Sequence, residues 1–406
     1  MIDTEPSFEL PAQRSVPFSE PAVYRQARNK EKVQLVRLPS GRTAWAIIGA
    51  AECRAVLTSP HISSDLRHPS FPSLISNSGQ PVGAASTVDF RPSISAMDPP
   101  EHTVTRRRVL GEFTHRRIKA MEPHIQQMVD THVDAIITGP KPVDLVTALC
   151  LPIPSLTICQ ILGVPYSDHV FFQTRSAAMF DTNNEKQQRA LAAGELVGYL
   201  SGLIVDKETH RTDDLIGRQV HNIGYTREFN RKALIELAIT LLAAGHETTA
   251  SMLSLGVTVL LNNPDQLAIL QADPGKVPQA IEELLRYCSN VDPTAYRVAT
   301  KDMTVAGVNI YQGDAIVVLG ASANHDMPHA EEPGRFLIDR ANQRHIAFGH
   351  GMHQCIGQHL ARTEMRIAVE TLLRRIPTLS LAVPTEDLPF KEKAAIYGLH
   401  ALPVTW

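Results

Sequence analysis

The sequence predicts a mainly α protein with small β-sheets, and three observations carry that prediction. Apolar residues recur every three or four positions over 116–138, 188–207, 231–262, 278–287 and 356–376, the period of a helix with one buried face. Alternating runs pair around turn residues in two places: VQLVRL with RTAWAII about PSG, and MTVAGVNI with AIVVLG about YQGD. Each reads as a hairpin. Hydrophobic residues make up 43% of the 406 positions, enough to bury a large core. No Ser/Gly linker, charge block or repeat divides the chain, so residues 1–406 are expected to form a single domain.

Taken in order, the N-terminal MIDTEPSFELPAQR is acidic and lacks the basic-then-apolar order of a signal peptide. Residues 66–96 are full of Pro, Ser and Gly without a sustained period, and a stretch of that kind reads as a candidate lid. LAITLLAAGHETTASMLSLGVTVLL, 237–261, is long enough to span a bilayer. His246 and Glu247 at its middle make that placement costly, so it is read as a helix buried in protein, with no membrane involved. Asn262, Asn263 and Pro264 stop this helix and Pro377 stops the last one.

Global composition excludes some functions. A formal net charge of −3 fits neither a nucleic-acid binder nor a membrane-surface protein, so any basic patch must be local. The five cysteines, Cys53, Cys150, Cys159, Cys288 and Cys355, are odd in number and contain no C-x-x-C pair. No disulfide framework is expected, and a reducing cytoplasm fits.

The stretch RHIAFGHGMHQCIGQHLAR, 344–362, places one cysteine among glycines and histidines just before a predicted helix. One reading is zinc, with His345, His350, His353, Cys355 and His359 as candidate ligands. Their spacing departs from the usual C-x₂₋₄-C or H-x₃₋₅-H clamps, and no second cysteine is near. A second reading is a histidine-rich turn. The third is thiolate-ligated iron. A sulfur at a helix N-terminus meets aligned peptide dipoles and free N–H groups, which favour the thiolate. Gly349, Gly351 and Gly357 let the backbone bend and approach a flat ligand, with Phe348 beside it.

Phe348, Gly349, Gly351, His353, Cys355 and Gly357 spell F-G-x-G-x-H-x-C-x-G, which resembles the heme-binding loop of cytochromes P450. Other landmarks of that family follow in order. EELLR resembles its E-x-x-R pair, Glu283 and Arg286, and PGRF supplies Arg335 as the third member of a structural network. AAGHETTA resembles the oxygen-binding stretch, with Ala244, Glu247 and Thr248 on one helix face. His102 and Arg106 in MDPPEHTVTRRR, Arg297 in YRVAT and His353 resemble the donors to the heme propionates. The departure there is Val104 and Thr105, where leucine and arginine are commoner. The tail LPVTW and the segment ILGVPYSDH are similar to soluble actinobacterial members, among which the branch hydroxylating vitamin D, sulfonylureas and macrolide or polyene products looks nearest.

The resemblance implies the P450 fold, with heme b (iron protoporphyrin IX) between the long central helix and the cysteine-loop helix. It implies Cys355 as axial metal ligand, Thr248 as hydrogen-bond donor to bound dioxygen, and Glu247 as proton-delivery gate. The implied activity is monooxygenation: one oxygen atom of O2 enters a C–H bond of an apolar small molecule, and the other leaves as water. Epoxidation, aryl coupling, nitration, nitric oxide reduction and a non-catalytic heme partner also occur in the family, although the last two typically alter the Glu–Thr pair. Phe90, Phe180, Thr294, Ile396 and Leu399 are expected to line the substrate pocket. Electrons would come from an acidic ferredoxin and its reductase, docking on Arg107, Arg108, Arg116 and Arg117 of a monomeric protein.

Overall fold

The computed structural model describes residues 5–72, 94–180, 185–221, 230–326, 332–340, 344–392, 394 and 396–406. The helices are α1 (Ala22–Arg28), α2 (Ala50–Thr58), α3 (Glu101–Leu110), α4 (His115–Thr138) and α5 (Pro152–Leu162). They continue as α6 (His169–Phe180), α7 (Lys186–Thr209), α8 (Leu215–His221), α9 (Arg231–Leu261) and α10 (Pro264–Ala272). The last are α11 (Val277–Cys288), α12 (Gly320–His325) and α13 (Gln358–Arg375). The strands are β1 (Val33–Arg37), β2 (Thr43–Ile47), β3 (Ile62–Ser63), β4 (Val143–Asp144) and β5 (Ala295–Ala299). They end with β6 (Met303–Val305), β7 (Val308–Ile310), β8 (Ala315–Val318), β9 (Ser380–Leu381) and β10 (Pro403–Thr405). The mainly α prediction stands.

All five periodic segments are helices, with ends where local chemistry puts them. Asn230 Oδ1 caps α9 by accepting the Ala233 amide at 3.1 Å, and Pro264 opens α10 immediately beyond the α9 C-cap. The apolar faces of α4, α5, α7, α9, α11 and α13 meet in one large core, in which Leu149, Leu196, Leu242 and Leu284 are fully enclosed. α9 runs through this core and packs against α5, α7, α11 and α13. Among the described residues no helix is long and apolar enough to cross a membrane.

The first hairpin forms as expected, with Val33 opposite Ile47. The second does not. Its turn falls at Ala306–Gly307, where both residues have positive φ, 48° and 80°, and joins β6 to β7. A two-residue turn of that kind matches strand twist better than the longer YQGD connection. AIVV instead becomes β8, parallel to β2 and antiparallel to β5 in a sheet ordered β1-β2-β8-β5-β3. Of the 66–96 stretch, residues 73–93 lie outside the described residues.

Candidate functional site

The cysteine loop closes on itself. The Cys355 amide donates to the Phe348 carbonyl at 2.8 Å, Gly349 N–H to Ile346 O at 2.8 Å and Gln354 N–H to Gly351 O at 3.0 Å. Gly349 and Gly351 have φ of 70° and 73°, a region side chains rarely adopt. A Cβ on Gly351 would also lie 2.4 Å from the Leu57 carbonyl oxygen of α2. Gly351→Ala is therefore expected to cost about 1–3 kcal/mol and to lower heme occupancy, measured as Soret absorbance per mole of purified protein.

Cys355 is half-buried, two residues before the Gly357 cap of α13. Burial pushes its thiol up, while the Gly357 N–H, Arg106 and Arg362 favour the thiolate. Arg106 reaches this loop from α3 through a 2.6 Å bond to Gln354 O. The loop's histidines point to different partners. His345 Nε2 lies 3.2 Å from Glu282, His353 Nε2 lies 3.0 Å from Ser64 Oγ, and the His359 ring meets His115 at 5.9 Å. Their dispersal argues against the zinc reading.

His102, Arg106, Arg297 and His353 converge from α3, β5 and the cysteine loop. The rings of His102 and His353 are 4.1 Å apart. His353 is pushed down to about 3 by burial and by the charges of Arg297, His102 and Arg106; burial brings Arg297 down to about 10. His102 Nε2 and Arg297 Nε are buried without a hydrogen-bond partner. Asp98 is the acid in their field, and its oxygens are engaged by Ser63 and Ser64. Orphaned donors crowded in this way fit a ligand bearing carboxylates, as the heme propionates do.

α9 presents the opposite chemistry. Ala244 is exposed although Leu241, Leu242 and His246 around it are buried, so its face of the helix is open to solvent. Thr248 Oγ1 donates to the Ala244 carbonyl at 2.7 Å, and Asn290 Nδ2 donates to the Thr248 carbonyl at 2.9 Å. Glu247 Oε1 accepts from Lys391 Nζ, and from Ser251 Oγ at 3.4 Å. Lys391 and Asn290 were not legible as site residues: they lie far along the chain from Glu247 and Thr248 and match no spacing.

One expected role is corrected. Glu283 is fully buried and accepts from Arg286 Nε and Nη2 at 2.7 and 2.8 Å, from the Leu337 amide at 3.1 Å and from Arg340 Nε at 3.0 Å. The third member of the network is thus Arg340. The Arg335 side chain is 56% exposed and pairs with Glu332, and only its carbonyl joins the network, accepting from Arg286 and Arg340. Phe336 and Ile338 are buried, so the turn through this segment points Arg335 outward and returns Arg340 inward.

Of the expected pocket residues, Leu399 is 1% exposed and packs in the main core. Ile396 and Thr294 are half-buried, with Ile396 bridged to Val291 and Thr294 Oγ1 donating to Val291 O at 3.2 Å. Phe90 and the Phe180 side chain lie outside the described residues. Arg107, Arg108 and Arg116 are exposed, whereas Arg117 lies 3.5 Å from Glu112.

A family model described as cytochrome P450 matches residues 276–399. Cytochrome P450-SU2 of Streptomyces griseolus is 40% identical over 98% of this chain and 96% of its own length. Vitamin D3 dihydroxylase of the same organism is also 40% identical, covering 98% and 96%. The crystal structure of cytochrome P450 MoxA (CYP105) from Nonomuraea recticatena superposes with a TM-score of 0.91 at 44% identity, covering 98% of each chain.

Proposed function

Because this chain belongs to the cytochrome P450 family and is a heme-dependent monooxygenase, we propose that it hydroxylates a C–H bond of an apolar small molecule, a secondary metabolite, with electrons from a ferredoxin and its reductase. The observation that carries this reading is the intact pair Glu247–Thr248 next to the open face at Ala244. The relatives' names point the same way, since one is a dihydroxylase of vitamin D3, an apolar polycyclic molecule. An acid beside an alcohol argues for proton-coupled oxygen chemistry over nitric oxide reduction or a non-catalytic role.

In this reading Cys355 holds the metal, while His102, Arg106, Arg297 and His353 hold the propionates. Heme supplies activation of dioxygen when bound, and the protein supplies orientation, exclusion of water and protons. Thr248 Oγ1 has lone pairs free to accept while it donates to Ala244 O, and rotation off that carbonyl frees its proton for donation. Glu247 is held by Lys391, so carrying a proton to Thr248 requires the carboxylate to leave the lysine.

The test is the absorbance spectrum of the reduced protein under carbon monoxide. A strongly red-shifted Soret band that is lost in Cys355→Ala supports thiolate ligation by Cys355. A band at the histidine-ligated position would overturn the mechanism. For docking, α3 carries Arg107 and Arg108 directly after Arg106, which bonds the cysteine loop. Reversing both charges is expected to slow reduction by ferredoxin about tenfold or more at low salt and to flatten its salt dependence. Unchanged rates in stopped-flow reduction would remove the docking assignment.

A further inference from the structure

Beside Phe348 lies a charged array built from α11, α13 and the cysteine loop. The Arg362 guanidinium, on α13, sits 4.5 Å from the centroid of the Phe348 ring, and the Phe348 carbonyl accepts the Cys355 amide. Glu282 on α11 grips Arg362 through two bonds, Nε to Oε1 at 2.6 Å and Nη2 to Oε2 at 2.9 Å. Gln358 Oε1 accepts a third from Nη1 at 3.0 Å.

His345 completes the array and its hydrogen bonds define its charge. Its Nδ1 accepts the Ala347 amide at 3.2 Å, so the ring proton belongs on Nε2, which donates to Glu282 at 3.2 Å. The imidazole is thereby neutral, and the array holds one cation and one anion. Burial opposes ionisation of Glu282, but the hydrogen bonds from His345 and Arg362 and the charge of Arg362 outweigh it and hold the carboxyl below its usual range. Arg362 and Arg106 are the cations in the field of Cys355.

A pair this accessible, with about 30% of each side chain exposed, contributes little to stability, about 0–1 kcal/mol. Its geometry has another consequence. The bidentate grip fixes the cation against the aromatic ring next to the thiolate, with the compensating anion beyond it. We propose that Arg362, positioned by Glu282 and His345, raises the reduction potential of the heme held at Cys355.

The physical basis is Coulombic. One-electron reduction adds negative charge at the heme and thiolate, which a fixed cation favours and an anion opposes. The proposal rests on the heme reading, and the two can fail separately: absence of a Soret band in the wild type would sink the heme reading before any variant is compared. The experiment is an optical redox titration of the heme-loaded protein and its variants. Arg362→Gln is expected to lower the potential, Glu282→Gln to raise it, and Arg362→Lys to stay nearer the wild type than Arg362→Gln. Opposite shifts from the two glutamine variants are the signature, since a merely structural array would move both the same way. Shifts of the same sign, or no shift in either, would overturn the proposal. Should Arg362→Gln not take up heme, Glu282→Gln decides alone: a raised potential upholds the assignment, and an unchanged or lowered one overturns it.

Discussion

Replacing Glu247 by glutamine is expected to slow turnover about 10²-fold while leaving substrate affinity, read from the spin-state shift, close to the wild type. Glutamine matches the size of the acid and can still meet Ser251, but it cannot exchange a proton. Lys391 sharpens the test, because its ammonium pairs with the carboxylate. Solvent isotope effects on turnover measure the same step: Glu247→Gln should enlarge them. A Glu247→Gln enzyme that turns over like the wild type would remove the proton-delivery role from this residue.

The largest expected effect on stability lies in the Glu283 network. One enclosed carboxylate faces two guanidiniums whose side chains are 1% and 4% exposed. Removing the acid takes the shared carboxylate away from two buried guanidiniums, a defect that costs about 3–5 kcal/mol. Glu283→Gln is expected to lose that much in denaturant unfolding, and Arg340→Ala a similar amount. Arg335→Ala is expected to stay within about 0.5 kcal/mol, since its side chain is solvated and only its carbonyl is used. The network also supports the cysteine loop. Arg286 Nη1 donates to the Asn324 carbonyl at 3.1 Å, and Asn324 Oδ1 accepts the Ile346 amide at 2.7 Å. Heme retention should therefore fall with stability in Glu283→Gln and Arg340→Ala but not in Arg335→Ala.

The helices and the cysteine loop were legible because their signals are local. A period of 3.6 residues along α4, α7, α9, α11 and α13 is imposed by burying one face, so it survives whatever the partners are. Gly349 and Gly351 carry positive φ within a loop closed by its own amides, and such a turn writes its requirement into a few consecutive residues. The identity of the face Ala244–Glu247–Thr248 follows from helix geometry alone. These features, with the order of the family's landmarks, were sufficient to identify the fold and the heme chemistry from sequence.

Tertiary structure decided whatever depends on two distant segments meeting. Arg335 and Arg340 are both arginines in one irregular stretch, and only the path of the turn against α11 selects which reaches Glu283. β8 joins β2 and β5 because the sheet offers it two partners, a long-range choice that a run of alternating residues does not contain. Lys391 finds Glu247 across 144 residues, and Arg362 finds Glu282 across 80. Periodicity and spacing report the forces acting along one segment. The direction of a charged side chain is set by the field of whatever packs beside it, and that becomes definite only once the chain has folded.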